Sequence, residues 1–281
     1  MKKNYFVLFF LMASMQAATA SPESQRCIQN VIDKRESDSP QLLLNNCKVE
    51  DDDLAYIFHI LNQNPKINEL YLDNNLISDA GAKQLAYLKI EYLSLGHNKI
   101  TADGSNALAA NESFKTLWLE ENKLGDDSCS AFLNNKKLIE LYLDNANITA
   151  NGAKLLAQSN TLGYLSLDHN PIGDEGISAF TNSHNLYGFS ANDTNITDVA
   201  ANALASNVTI KYLQVGFNRI TDVGAIAFAQ ADGPHDKYLY IAHNQLTAVG
   251  ISALKNSPYY AKVGTDDGDW LKRKKFRHDK S

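Results

Sequence analysis

The sequence predicts an α/β fold, a solenoid of short parallel strands stacked one per repeat with a short helix on the outer side of each unit. Three observations carry that expectation. A pair of apolar residues at alternate positions recurs eight times, as Leu70/Leu72, Leu93/Leu95, Leu117/Leu119, Leu141/Leu143, Leu165/Leu167, Phe189/Ala191, Leu213/Val215 and Leu239/Ile241. Three residues beyond each pair stands Asn75, Asn98, Asn122, Ala146, Asn170, Thr194, Asn218 or Asn244, at successive spacings of 23, 24, 24, 24, 24, 24 and 26. Within one unit, Leu162–Phe180, the apolar period changes from that of a strand (Leu165, Leu167) to that of a helix (Ile177, Phe180). A period switch repeated at fixed spacing marks a stacked repeat, in which each unit buries its apolar face against its neighbours. At 281 residues, one solenoid fits better than two globular domains.

Taken in order, residues 1–20 read as a signal peptide. Lys2-Lys3 precedes the apolar run Tyr5–Met12, and Ala18-Thr19-Ala20 offers a small-residue cleavage site after Ala20. The mature chain is expected to be secreted or periplasmic. Residues 21–65 are expected to form an N-terminal cap and a degenerate first repeat. A helix from Ser24 to about Lys34 would present Ile28, Val31 and Ile32, and the pattern Leu42-x-Leu44-x-x-Cys47-x-Val49 would follow. Cys27 and Cys47 are expected to pair, because exported proteins meet an oxidising compartment. Cys129 falls where sister repeats carry Ala82 and Ala153, and reads as a small core residue.

Residues 66–256 are the regular repeats. Each strand leucine would point inward, and the Asn side chain would satisfy backbone groups where the chain leaves the strand. Ala146 replaces that Asn, so its turn is expected to lack side-chain hydrogen bonds. Ser78, Thr101, Thr149, Thr197, Thr221 and Thr247 provide helix N-caps. The small column Gly81, Gly104, Ser128, Gly152, Gly176, Ala200, Gly224, Gly250 is expected where the outer helix crosses close to the strand layer. In the last unit Gly233-Pro234 lengthens the connection, and Asp236 breaks the apolar rule before the strand. Residues 257–281 are assigned to a C-terminal cap and a basic tail.

The pattern LxxLxLxxNxI, carried by roughly Leu42–Leu254, resembles that of leucine-rich-repeat proteins. The continuation IxDxGAxxLA, as in Ile77–Ala86, is similar to the ribonuclease-inhibitor-like subfamily, here with shorter repeats of about 24 residues. The resemblance implies a curved horseshoe with a parallel sheet on its concave face and short helices on its convex face. It also implies binding of other macromolecules rather than chemistry. The lysine-led signal and short units look most like exported bacterial repeat proteins, some of which act as effectors on host proteins.

Charge and motifs narrow the function classes. Without Lys2 and Lys3 the formal net charge moves from −6 to −8, and Trp270–Ser281 carries six Lys/Arg against one Asp. The body from Ser21 to Asp269 is therefore at −13, which argues against nucleic-acid binding. The basic tail could contact anionic membrane lipid. Enzyme signatures are absent: no phosphate loop, GxSxG, HExxH or CxxC occurs. His97, His169 and His243 share one repeat position, yet His97 and His169 lie three strands apart, about 14 Å at strand spacing. They cannot share a zinc, and read as rim residues. No cofactor or metal is expected. Five Asn-x-Ser/Thr sequons, at Asn111, Asn147, Asn192, Asn195 and Asn207, read as by-products of the repeat.

Function is therefore expected on the strand face that points away from the core. Its first column reads Glu69, Tyr92, Thr116, Glu140, Tyr164, Gly188, Tyr212, Tyr238, and its second Tyr71, Ser94, Trp118, Tyr142, Ser166, Ser190, Gln214, Tyr240. The third reads Asp73, Gly96, Glu120, Asp144, Asp168, Asn192, Gly216, Ala242. Tyr71, Tyr92, Trp118, Tyr142, Tyr164, Tyr212 and Tyr240, with the file Glu120-Asp144-Asp168, are the expected partner contacts. Like charges in file cost stability, so the file reads as kept for a partner with a basic patch. The reading is a monomeric protein-binding module. Its rivals are a structural or adhesive envelope protein and, further off, an enzyme.

Overall fold

A computed structural model describes residues 21–231 and 237–265. The expected signal peptide (1–20), the Gly233-Pro234 connection with Asp236, and the basic segment Trp270–Ser281 lie outside the described residues. Ten strands form one sheet: β1 Gln41–Leu43, β2 Glu69–Tyr71, β3 Tyr92–Ser94, β4 Thr116–Trp118, β5 Glu140–Tyr142, β6 Tyr164–Ser166, β7 Gly188–Ser190, β8 Tyr212–Gln214, β9 Lys237–Tyr240 and β10 Tyr260–Gly264. They lie in chain order and every pair is parallel. The register keeps Leu70, Leu93, Leu117, Leu141, Leu165, Phe189, Leu213 and Leu239 in one row. These side chains are buried between sheet and helices. Each such burial contributes roughly 1.5–3 kcal/mol.

β10 has no counterpart in the repeat pattern, which ends near Leu254. It completes the hydrogen bonding of β9, with a register shift between Tyr260 and Lys262. At the other end the helix Pro22–Lys34 is capped by Ser21 Oγ, which accepts from Ser24 N at 3.0 Å, and it buries Ile28 over the first repeat. Cys27 and Cys47 are joined as a disulfide. Cys47 occupies the Asn position of a unit that has no repeat before it to bond to, and ties down the cap instead.

The Asn residues form a ladder between repeats. Asn75 Nδ2 donates to its own Leu72 carbonyl at 2.8 Å and to Leu44 O of the preceding unit at 3.0 Å, while its Oδ1 accepts from Val49 N at 2.9 Å. Asn98, Asn122, Asn170, Asn218 and Asn244 repeat the arrangement. At Ala146 the expected lack of side-chain bonding is not found. Asn170 Oδ1 accepts from both Ala146 N (3.1 Å) and Ile148 N (2.9 Å). Asn218 serves Thr194 N and Ile196 N in the same way. Each strand carbonyl normally has two Asn donors, so losing one still leaves a partner.

The outer helices of the regular repeats are short, five to eight residues. Their N-termini are tied across repeats by a column of aspartates. Asp79 Oδ1 accepts from Thr101 N at 2.8 Å and Gly104 N at 3.0 Å, and its Oδ2 accepts from Thr101 Oγ1 at 2.7 Å. Asp198 and Asp222 bond the next unit identically. This column, rather than a crossing with the strand layer, demands the small residue. A Cβ on Gly104, Gly152, Gly224 or Gly250 would collide with the incoming carboxylate. At Gly176 it would strike Ala150 of the neighbouring helix and Ile172.

Candidate functional site: the solvent face of the sheet

Because strand side chains alternate, the residues flanking each buried leucine share the opposite face of the sheet. The register aligns the first two columns strand by strand, Trp118 beside Tyr142 and Glu140 beside Tyr164. Backbone bonds from Asn74 N to Gly96 O through Phe217 N to Ala242 O extend the alignment to the third column.

Four of the expected aromatic residues meet, and a fifth ring joins them. Tyr71 lies 6.1 Å from Trp118, Trp118 stacks on Tyr142 at 5.4 Å, Tyr142 meets Tyr164 at 5.1 Å, and Tyr164 meets Tyr187 at 6.4 Å, centroid to centroid. Such distances are those of favourable ring pairs, each contributing about 0.5–1.5 kcal/mol beyond burial. Two glycines make room: Tyr164 lies over Gly188 and Tyr187 over Gly163, where a Cβ would meet the rings. Tyr187 escaped the sequence reading because it precedes the strand. The glycines at 163 and 188 were its only signal, and a glycine in a strand marks such a close approach.

The rings of the ladder pack on one another. Rings already 5.1–5.4 Å apart leave no room for a base or sugar ring between them. Tyr71 Oη donates to Glu69 Oε2 and Tyr187 Oη to Glu140 Oε1, both at 3.0 Å. Burial raises the Tyr142, Tyr164 and Tyr187 hydroxyls above the usual phenol range, with added repulsion from neighbouring carboxylates. All three stay protonated at neutral pH. Tyr164 is the most enclosed at 8 % exposure, and is as much a support for the ladder as a contact surface.

The remaining tyrosines fall elsewhere on the face. Tyr212 stacks on Tyr238 at 4.9 Å, and Tyr240 lies over Gly216, as a second group towards the C-terminus. Lys262 sits 5.9 Å from the Tyr238 ring. Tyr92 shares the first column with Glu69 and Thr116, and is part-buried.

The acid file has internal employment that its sequence pattern did not reveal. Asp144 Oδ1 accepts from Ser166 Oγ and, at 3.0 Å, from Asp168 N. Asp168 Oδ1 accepts from Ser190 Oγ at 2.6 Å and Asn192 N at 2.8 Å, and its Oδ2 accepts from Asn192 Nδ2 at 2.9 Å. Asp73 does the same for Ser94 and Gly96 N. Donors from the next repeat offset the like-charge cost, so Asp168, at 6 % exposure, is a structural residue before it is a contact. Glu69 accepts from the side chains of Gln41 and Tyr71, Glu140 from those of Thr116 and Tyr187, and Glu120 lies over Gly96.

The three histidines sit at turns. His97, His169 and His243 have φ of 53°, 59° and 58°, in the left-handed region that Asn, Asp and His tolerate best. Among the described residues no three His, Cys, Asp or Glu side chains are grouped to hold a metal. Three of the sequon amides belong to the framework, Asn192 through its bond to Asp168. Asn111 Nδ2 donates to Ala86 O and Leu88 O, and Asn207 Nδ2 to Phe180 O and Ser183 O, fastening the ends of outer helices.

The leucine-rich-repeat family profile matches residues 63–86, 88–109, 158–180, 206–229 and 237–255. In a sheet of ten parallel strands in chain order, each match falls on one strand–helix unit. The chain is built of leucine-rich repeats. A search of the curated proteins finds no match to the sequence. Among solved structures, internalin C2 from Listeria monocytogenes superposes with a TM-score of 0.53 at 21 % identity, over 87 % of this chain and 92 % of that one. That likeness shows the leucine-rich-repeat fold. The segments between the profile matches, 110–157 and 181–205, hold Ala146 and Thr194, where the Asn ladder is interrupted.

Proposed function

We propose that this leucine-rich-repeat chain is an exported binding module whose sheet face captures a protein partner bearing a basic patch. The observation that carries the reading is the five-ring ladder from Tyr71 to Tyr187, held on a face whose three columns contain carboxylates and no Lys or Arg. Binding energy concentrates in a few aromatic residues near the centre of an interface, and carboxylates around them steer a cationic partner. The leader-like residues 1–20 and the Cys27–Cys47 disulfide fit a chain that works outside the cytoplasm, with a protein of a host cell as the finer reading of its partner.

The test is affinity capture from host lysate and from the producer's envelope, followed by binding measurements on the captured protein. Trp118→Ala and Tyr142→Ala each weaken the partner at least tenfold, a common effect for a central aromatic contact. Both rings pack on other rings rather than on the leucine core, so melting temperature falls only slightly. Glu120→Gln slows association and flattens its salt dependence. If both aromatic variants hold the partner as wild type does, the partner docks elsewhere and the site is withdrawn.

A further inference from the structure

We propose that the basic segment Trp270–Ser281 of this same chain occupies the anionic sheet face and is displaced when a partner binds. The inference rests on the reading of that face as a binding surface. Across β2–β9 its three columns offer Glu69, Glu140, Asp73, Glu120, Asp144 and Asp168 and not one Lys or Arg, in a chain with 26 of them. Against that, Trp270–Ser281 concentrates six Lys/Arg and one Asp in a dozen residues, with Trp270, Leu271 and Phe276 among them. Cation is thus concentrated in the segment and anion on the surface, where Lys262 of β10 stands at the C-terminal edge, and each brings aromatic side chains.

The exit point suits the match. Gly264 of β10 pairs with Tyr240, which puts Thr265, the last described residue, level with Ile241 and one position short of the third column. β5, which carries Tyr142, lies five strands away, about 24 Å at about 4.8 Å per strand. The ten residues from Thr265 to Lys275 can span up to roughly 33–36 Å. The lysines therefore reach Asp144 and Glu120, and Phe276 can reach the edges of the ring ladder. The ladder's stacked faces admit no inserted ring, so the contact is one of ammonium and guanidinium groups on carboxylates and tyrosine hydroxyls, with apolar side chains along the ring edges. It weakens with salt accordingly.

The experiment compares the full chain with a full-length variant in which Lys272, Arg273, Lys274, Lys275 and Arg277 are all replaced by Gln. A fluorescein-labelled peptide of the sequence Trp270–Ser281 is titrated into each and followed by anisotropy. The neutralised chain binds the peptide at least tenfold more tightly than wild type, because its face is vacated, and Glu120→Gln with Glu140→Gln in that background removes the gain. Carbodiimide coupling of wild type joins Lys272–Lys275 to Glu120, Asp144 or Glu140 within the monomer. Equal peptide affinity for the two chains, binding to neither, cross-links confined to the outer helices, or cross-links seen only in dimers would each overturn the proposal. Any of these with partner binding still lost in Trp118→Ala leaves the binding face standing and removes only its internal occupant.

Discussion

At the scale of single residues, the departures from the repeat occur in linked sets. Gly125 adopts φ 66° and ψ 177°, a region open essentially to glycine, and its N–H donates to the Ala146 carbonyl at 2.9 Å. One repeat earlier the aspartate column reads Ala102, so no carboxylate waits for a Thr at 125. One repeat later Ala146 replaces the ladder Asn, and Asn147 after it has φ 61°. The set recurs as Ala150, Gly173 (φ 67°, donating to Thr194 O at 2.8 Å), Thr194 and Asn195 (φ 63°). Ala146→Asn alone is therefore not the repair that the repeat pattern suggests. It buries an amide in a turn built for none, and should cost about 1–3 kcal/mol. Gly125→Thr alone should also cost about 1–3 kcal/mol through backbone strain. Together they cost less than their sum, because they convert one turn type into the other. A denaturant double-mutant cycle measures the coupling, and strictly additive values would break the linkage. Gly176→Val belongs at the same scale. It pushes a branched side chain into Ala150 and Ile172 and should cost about 1–3 kcal/mol or more, read as a lower melting temperature.

At the scale of elements, each end of the solenoid needs its own device. The helix Pro22–Lys34 covers the first repeat, yet within it only Ser24 and Ile28 are fully enclosed, so its packing alone is modest. The disulfide closes a separation of 20 residues, for which loop entropy gives roughly 3 kcal/mol. Reduction, or Cys27→Ser with Cys47→Ser, should lower the unfolding midpoint by about that amount. Amide exchange would rise first in the cap helix and in β1. An unchanged midpoint would show that the cap holds without its staple. The third cysteine behaves differently. Burial pushes the Cys129 thiol up to about 12, so it stays protonated and unreactive in the folded chain.

For the whole molecule, the aspartate column makes stability depend on acid. Asp79 is held below the usual carboxylate range: burial works against that, and hydrogen bonds from Thr101 and Gly104 outweigh it. Asp222 is lowered by the Thr247 hydroxyl and backbone N–H. A carboxylate with a lowered folded pKa contributes fully above its unfolded value of about 3.9, and that contribution is lost as pH falls through the folded value. Melting temperature should therefore be level through neutral pH with respect to these groups and drop below about pH 4. Asp222→Asn flattens the drop. A repeat array sums such nearest-neighbour terms, so many weak ties between units set its cooperativity.

Much of this was written in the order of residues. Leucine pairs at constant spacing fixed strand, register and parallel stacking, because a slip of one residue would turn every leucine to solvent. The Asn and Ser/Thr positions told where most turns and helices begin, and the degenerate pattern Leu42-x-Leu44-x-x-Cys47-x-Val49 marked the first repeat. The columns on the open face followed from alternation alone. Tertiary structure decided what those columns do. Asp144 and Asp168 read as a free acid file until the serines and backbone of the next repeat were seen to bind them. Trp118, Tyr142 and Tyr164 read as exposed contacts until they were seen to pack on one another, with Tyr164 over Gly188 and Tyr187 over Gly163 completing the row. The small column read as helix-on-strand packing until the aspartates appeared beneath it. In each case the deciding contact joins residues in adjacent repeats, 20 or more positions apart. A sequence states what each unit contains, whereas the atoms one unit presses against the next are set by stacking.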